Sequence, residues 1–301
     1  MFEESYFDHH IERTGTGCVK YDLRSNFFER DDILPMWVAD MDFRTPPFII
    51  EKIRERLDHE VLAYTFRTPS FGKAVKRWME TRHHWNIEEN WVTYSPGVVP
   101  ALNMCVLAYT QPGDKIIVQP PVYFPFFSAI KDHDRIMVEN PLVLRDGAYR
   151  MDLDHLRSVI DDSVKMIFLC SPHNPVGRVW TKEELIGLSE ICLDHNIIII
   201  SDEIHHDLIF EGYSHFPTAK ISKYISEMTV TCIAPSKTFN LAGMSTSALI
   251  IENDHLRSLY DAVLNKFHLN LGNIFGNVAL EAAYNYGDEW ITGLMKYIKG
   301  N

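Results

Sequence analysis

The chain has 301 residues, 46% hydrophobic and 23% charged, with 15 glycines and 15 prolines, which suits a folded protein with its own core and excludes a disordered or collagen-like chain. Its 29 Lys+Arg against 41 Asp+Glu leave a formal net charge of -12, which disfavours nucleic acid and anionic membrane as partners. No apolar run reaches the length of a transmembrane helix, and the acidic start at Met1 to Glu4 is unlike a secretory leader. Cys18, Cys105, Cys170, Cys192 and Cys232 form no CxxC pair, which fits a reducing cytoplasmic setting.

Residues 1–40 are polar and poorly periodic, with Gly15 and Gly17, and read as an N-terminal arm or part of a smaller lobe. The densest basic stretch, Arg77 to His84, is interrupted by Trp78, Met79 and Glu80 and reads as one solvated helix face. From about Pro96, short β-branched runs alternate with amphipathic stretches, the pattern of an α/β fold with a mostly parallel sheet covered by helices. Strands are expected over 115–119, 135–139, 165–170, 196–201, 228–233 and 247–252. Thr181, with Glu183 and Glu184 behind it, caps a helix that ends near His195. Helices are also expected over 99–109, 254–265 and 277–297, and no internal repeat is present. The large domain is placed at 41–276, with 277–301 as an interdomain helix.

Four motifs follow expected strands or open helices. Ser95-Pro96-Gly97-Val98-Val99 is a glycine turn opening a helix, whose free N–H groups suit an anion. Ser171-Pro172-His173-Asn174-Pro175-Val176-Gly177 is a rigid turn that either fixes the Asn174 amide as a donor or is a plain turn. Ser201-Asp202-Glu203-Ile204-His205-His206-Asp207 follows four isoleucines. An acid at a buried strand end is costly unless paired, so Asp202 is a strand-end cap or the partner of a protonated heterocycle nitrogen. A metal cluster of Asp202, His205 and His206 is the weaker reading, because adjacent histidines on an extended chain face opposite ways. Ala234-Pro235-Ser236-Lys237-Thr238 puts a lysine at a strand end, where α/β folds place ligands and desolvation lowers an amine's pKa. Taken alone, a surface loop is the commoner place for a lysine.

The ordered set of Gly97, Tyr123, Asn174, Asp202 and Lys237 resembles the class I/II pyridoxal-phosphate (PLP) dependent aminotransferases over nearly the whole chain, from the Trp37 region to Trp290. The resemblance implies PLP fold type I. It also implies that Lys237 forms the Schiff base with PLP. The Gly97, Val98 and Val99 amides would bind the phosphate, with Ser236 as a further phosphate ligand, and Tyr123 would stack on the pyridine ring. Asn174 and His205 would contact the phenolic oxygen, and Asp202 would hold the ring nitrogen protonated. Tyr64 resembles the tyrosine that reaches a neighbouring subunit's phosphate, which implies a homodimer.

Leu34-Pro35-Met36-Trp37-Val38-Ala39-Asp40-Met41-Asp42-Phe43 resembles the signature of the carbon–sulfur β-lyase subgroup that includes bacterial cystathionine β-lyases. Met244-Ser245-Thr246 stands where aminotransferases carry a phosphate arginine, and Ala234 where many relatives have a serine. The resemblance therefore implies α,β-elimination on cystathionine or L-cysteine S-conjugates, giving a thiol, pyruvate and ammonia. Trp37 is either a wall of the substrate pocket or a core tryptophan. Amino-group transfer with the same residues is the alternative enzyme reading. A regulatory PLP-binding protein is the alternative from another class, because relatives continue past Asn301 into a small C-terminal domain with the arginine that grips the substrate carboxylate. By that comparison the small domain is expected to be incomplete.

Overall fold

The β-branched runs form nine strands in the computed structural model, which describes residues 2–301. They are β1 (Val92–Ser95), β2 (Lys115–Val118), β3 (Ile136–Glu139), β4 (Val143–Arg145), β5 (Ala148–Arg150), β6 (Val164–Cys170), β7 (Ile198–Asp202), β8 (Thr229–Ile233) and β9 (Ser247–Ile250). Seven make one sheet in the order β1-β9-β8-β7-β6-β2-β3. Only β9 runs against the others: its pairs with β1 and β8 are antiparallel, and the remaining pairs are parallel. The β4–β5 hairpin closes through Asp146 and Gly147, both at positive φ, as a two-residue hairpin turn demands.

Side chains alternate across the sheet and divide the core into two. Ile116, Val118, Met166, Phe168 and Ile200 face one core, while Ile117, Ile167, Leu169 and Ile199 face the other. Burial on both faces explains why the central strands read as continuous apolar runs. Helices Pro69–His83, Val98–Tyr109, Ile274–Tyr286 and Asp288–Gly300 supply buried residues to the first core. Helix Lys182–Asp194 covers the second and starts at a complete Thr181/Glu184 capping box. Among the described residues, no helix is long and apolar enough to cross a membrane.

Two expectations need correction. The stretch 277–297 is not one helix: it breaks at Gly287 between Ile274–Tyr286 and Asp288–Gly300. A Cβ at Gly287 would lie 2.3 Å from Phe239 Cζ and 2.4 Å from the Ala283 carbonyl, so the break lets Phe239 sit against the corner and pack on Trp290. Arg77 to His84 does lie mostly in a helix, but Trp78, Met79 and His83 are buried, so this is no uniformly solvated face. β1, β4 and β5 lie outside the expected strands. The arm contains short helices at Glu4–Phe7, Val19–Asp22 and Arg24–Phe28. It is fastened to the chain around Asp40 by Arg13, which pairs with Asp40 at 2.8 Å and Asp42 at 2.6 Å, and by Lys20, which pairs with Asp42 at 2.8 Å.

Candidate active site

The topology brings the motifs to one edge of the sheet. β1, β2, β6, β7 and β8 point the same way, and their carboxyl ends lead into Gly97, Tyr123, Asn174, Asp202 and Lys237 respectively. That edge is where parallel sheets of this kind bind ligands. Register places Cys170 beside Asp202 and Asp202 beside Cys232, so Asp202 closes the central strand between the loops carrying Asn174 and Lys237.

The electrostatics of this edge centre on an amine and an acid. Lys237 is partly buried, its Nζ donates to the Ala39 carbonyl at 2.8 Å, and burial lowers its pKa against the opposing pull of Asp40 and Asp202. Asp202 is 3% exposed, and its carboxylate accepts the Ile204 N–H at 3.1 Å. Burial pushes its pKa up to about 7. No described cation is hydrogen-bonded to Asp202, and the nearby Lys237 charge offsets only part of the cost of burying its ionised form. A cationic N–H donor at that carboxylate would reverse the penalty, and a protonated pyridine nitrogen has the required chemistry.

Tyr123 is half-buried, and its hydroxyl pKa is raised by burial and by the nearby Asp202 charge. His205 is kept neutral, its pKa lowered to about 4 by burial and by Lys237. Asn174 and His205 line a cavity of about 450 Å3 with Ala39, Leu208, Phe210 and Tyr213. Val98 and Val99 open the twelve-residue helix, with Gly97 at its N-cap, leaving N–H groups at its start for an anion. Ser236 precedes the lysine in the short turn Pro235–Thr238. Lys237, Asp202, Tyr123 and His205 are thus within electrostatic reach of one another, and Asn174 shares the cavity with His205.

Two expected residues lie apart. Tyr64 is 97% exposed, in a stretch without regular secondary structure that also exposes Val61, Leu62 and Phe66. Trp37 packs on Phe27 and Phe28 of the arm at 4.6 and 5.7 Å between ring centroids and donates its indole N–H to the Lys20 carbonyl at 3.0 Å. It is not among the side chains lining the 450 Å3 cavity.

Three positioning residues went unread in the sequence. Asn240 donates to the Met41 and Phe43 carbonyls at 2.9 and 3.0 Å and accepts from Met41 N–H at 3.0 Å, clamping the 39–43 segment to the lysine turn. His173 Nε2 lies 3.0 Å from the Pro121 carbonyl and holds the Tyr123 loop against the Asn174 turn. Asp207 accepts from Thr238 Oγ1 at 2.7 Å, beside Lys237. Asn240 adopts a positive φ, which asparagine tolerates better than most residues. Its place three residues after Lys237 was the one available signal.

A family model for class I and II aminotransferases matches residues 31–299. Cystathionine beta-lyase PatB of Bacillus subtilis is 46% identical over 296 residues, covering 98% of this chain and 76% of that protein. Among solved structures, cystalysin from Treponema denticola, which contains a pyridoxal 5'-phosphate cofactor, superposes with a TM-score of 0.93 at 39% identity, covering 100% of this chain and 77% of that one. A PLP-bound C-S lyase from Staphylococcus hominis gives a TM-score of 0.88 at 32% identity, covering 97% and 73%. With its motifs gathered at one sheet edge and its sequence matched over this length, the chain belongs to the class I and II aminotransferase family.

Proposed function

We propose that this protein is a PLP-dependent carbon–sulfur β-lyase that cleaves cystathionine or other L-cysteine S-conjugates to a thiol, pyruvate and ammonia. The observation that carries the reading is the seating of Lys237: its Nζ is bonded to Ala39, inside the 34–43 segment that resembles the lyase signature. The similarity to a cystathionine beta-lyase and to a C-S lyase supports the same reaction.

Bound PLP supplies an electron sink for the charge that develops at the substrate's Cα. Asp202 would hold the pyridine nitrogen protonated, at a buried carboxylate to which no described cation is hydrogen-bonded. Tyr123 would stack on the ring, while Asn174 and His205 would face its phenolic oxygen; a neutral His205 can donate there without adding charge. The N–H groups of Gly97, Val98 and Val99 would hold the phosphate, with Ser236 beside them. Lys237 Nζ, its basicity moderated by burial, would take the Cα proton as the thiolate leaves Cβ, and water completes the products.

The exposed Tyr64, among exposed Val61, Leu62 and Phe66, supports a homodimer in which this tyrosine reaches the partner's phosphate site. Five free cysteines, four of them buried, support a cytoplasmic setting. The test is pyruvate and thiol release from cystathionine with no keto acid present. Steady release that depends on Lys237 supports the lyase. Turnover only when a keto acid accepts the amino group would replace it with amino transfer, and cofactor binding without either reaction would leave a binding protein.

A further inference from the structure

A second cavity, of about 740 Å3, has His83, His206, Asp207 and His215 in its lining, together with residues of helix Asp288–Gly300. It adjoins the Asn174 cavity, with Phe210 and Tyr213 lining both, but takes His206 into its wall where the other takes His205. One donor atom each from His83, His206 and Asp207 fall within 4.8 Å of one another. His83 Nε2 is 2.8 Å from Asp207 Oδ1, and His206 Nε2 is 3.0 Å from Asp207 Oδ2.

The state of His206 points to a ligand. His206 is 1% exposed, and although its Nε2 stands 3.0 Å from Asp207 Oδ2, neither ring nitrogen meets the geometry of a hydrogen bond. Buried polar atoms are rarely left so without a function or an absent partner. Asp207 meanwhile is braced as a metal-binding carboxylate would be: Trp78 Nε1 and Thr238 Oγ1 donate to it at 3.1 and 2.7 Å. Charge balance agrees. Asp207 and Glu203 are both buried here, the second already held by His215 at 2.8 Å, so the pocket has the sign of charge that favours a cation.

We propose that His83, His206 and Asp207 form a binding site for a divalent transition metal of the zinc class, with water from the cavity completing the sphere. Two imidazoles and one carboxylate select such a metal over magnesium or calcium. The donor atoms already bracket the roughly 3.3 Å edge of a tetrahedron with zinc-length bonds. Small shifts of the two rings bring them to it. The converging set is not the local trio of Asp202, His205 and His206: it draws His83 from the end of helix Pro69–His83, 123 residues before His206.

The experiment is zinc titration of the purified protein after chelator dialysis, followed by cobalt substitution. One equivalent should bind, with a visible cobalt spectrum of nitrogen and oxygen ligands and no thiolate band. His83→Gln and His206→Gln should each weaken binding by more than about 100-fold, beyond the loss of an outer contact. His9→Gln with His10→Gln, on the exposed arm, should leave it unchanged. If the wild-type protein binds no zinc at micromolar concentration, the proposal fails without recourse to any variant. It fails equally if binding survives in a folded His83→Gln protein or disappears with the arm histidines.

Discussion

Lys237 and Ala39 are 198 residues apart in sequence, yet the lysine ammonium donates to the alanine carbonyl at 2.8 Å. The contact fixes where the amine waits. It also makes the 34–43 segment part of the lysine's environment, with Asp40 opposing the loss of basicity that burial causes.

Replacing Lys237 by alanine should abolish pyruvate release, with kcat falling by at least about 10³, the scale of a lost proton-transfer group. Arginine should not rescue it, because a guanidinium neither gives up its proton nor forms the covalent link to PLP. Folding should be retained, since Lys237 supports the structure through one hydrogen bond to a partly exposed carbonyl. Kinetics with cystathionine and a thermal melt check both statements.

Asn240→Ala removes three hydrogen bonds to the segment that carries Ala39, and alanine tolerates the positive φ poorly. A loss of about 2–3 kcal/mol of stability is expected, with kcat reduced more than KM is raised. Asn240→Gly relieves the backbone and leaves only the missing clamp. If the glycine variant has wild-type kcat, the clamp does not position the lysine.

What was legible in the sequence was what lies close together along it. The central strands announced themselves because Ile199, Ile200 and their neighbours are buried on both faces, and Thr181 with Glu184 marked a helix start through a local capping box. The candidate site residues were picked out by short motifs that resemble the family's, and Gly97, Tyr123, Asn174, Asp202 and Lys237 stand at or within a few positions of strand ends. β1 was lost because four residues, one of them a tyrosine and two hydroxylic, make no apolar run. The β4–β5 hairpin carried a clear signal, Asp146-Gly147, that went unused. The break at Gly287 could not be read, since its cause is Phe239, 48 residues away. The same holds for His83 meeting Asp207 and for Asn240 meeting Met41: long-range pairs leave no local period.

Thr181→Ala should cost about 1 kcal/mol by removing the side-chain acceptor for the Glu184 N–H. Glu184 would still hold Arg178 at 2.6 Å and accept the residue-181 N–H, so the helix start should loosen without melting. Urea unfolding should show the shift while kcat stays within about twofold, as expected of a site-remote surface change. A large fall in kcat would mean that the Arg178 turn, which borders the Asn174 cavity, depends on this cap.

Asp202 gives a pH signature in the cofactor-free protein. Its pKa is raised from 3.8 to about 7 by burial, so between those values the folded chain binds a proton that the unfolded chain has lost. Stability therefore falls as pH rises through this window, by roughly 4 kcal/mol at most. Asp202→Asn cannot ionise and escapes the penalty: the variant should match the wild-type protein most nearly near pH 4 and be the more stable of the two at pH 8. Bound PLP should invert the order, because a protonated ring nitrogen supplies the missing cation to the carboxylate and finds only an amide in the variant. Urea midpoints at the two pH values, with and without PLP, decide the matter. Parallel pH slopes for the two cofactor-free proteins would mean that Asp202 is already compensated, and the assignment of its carboxylate to the pyridine nitrogen would lose its physical basis.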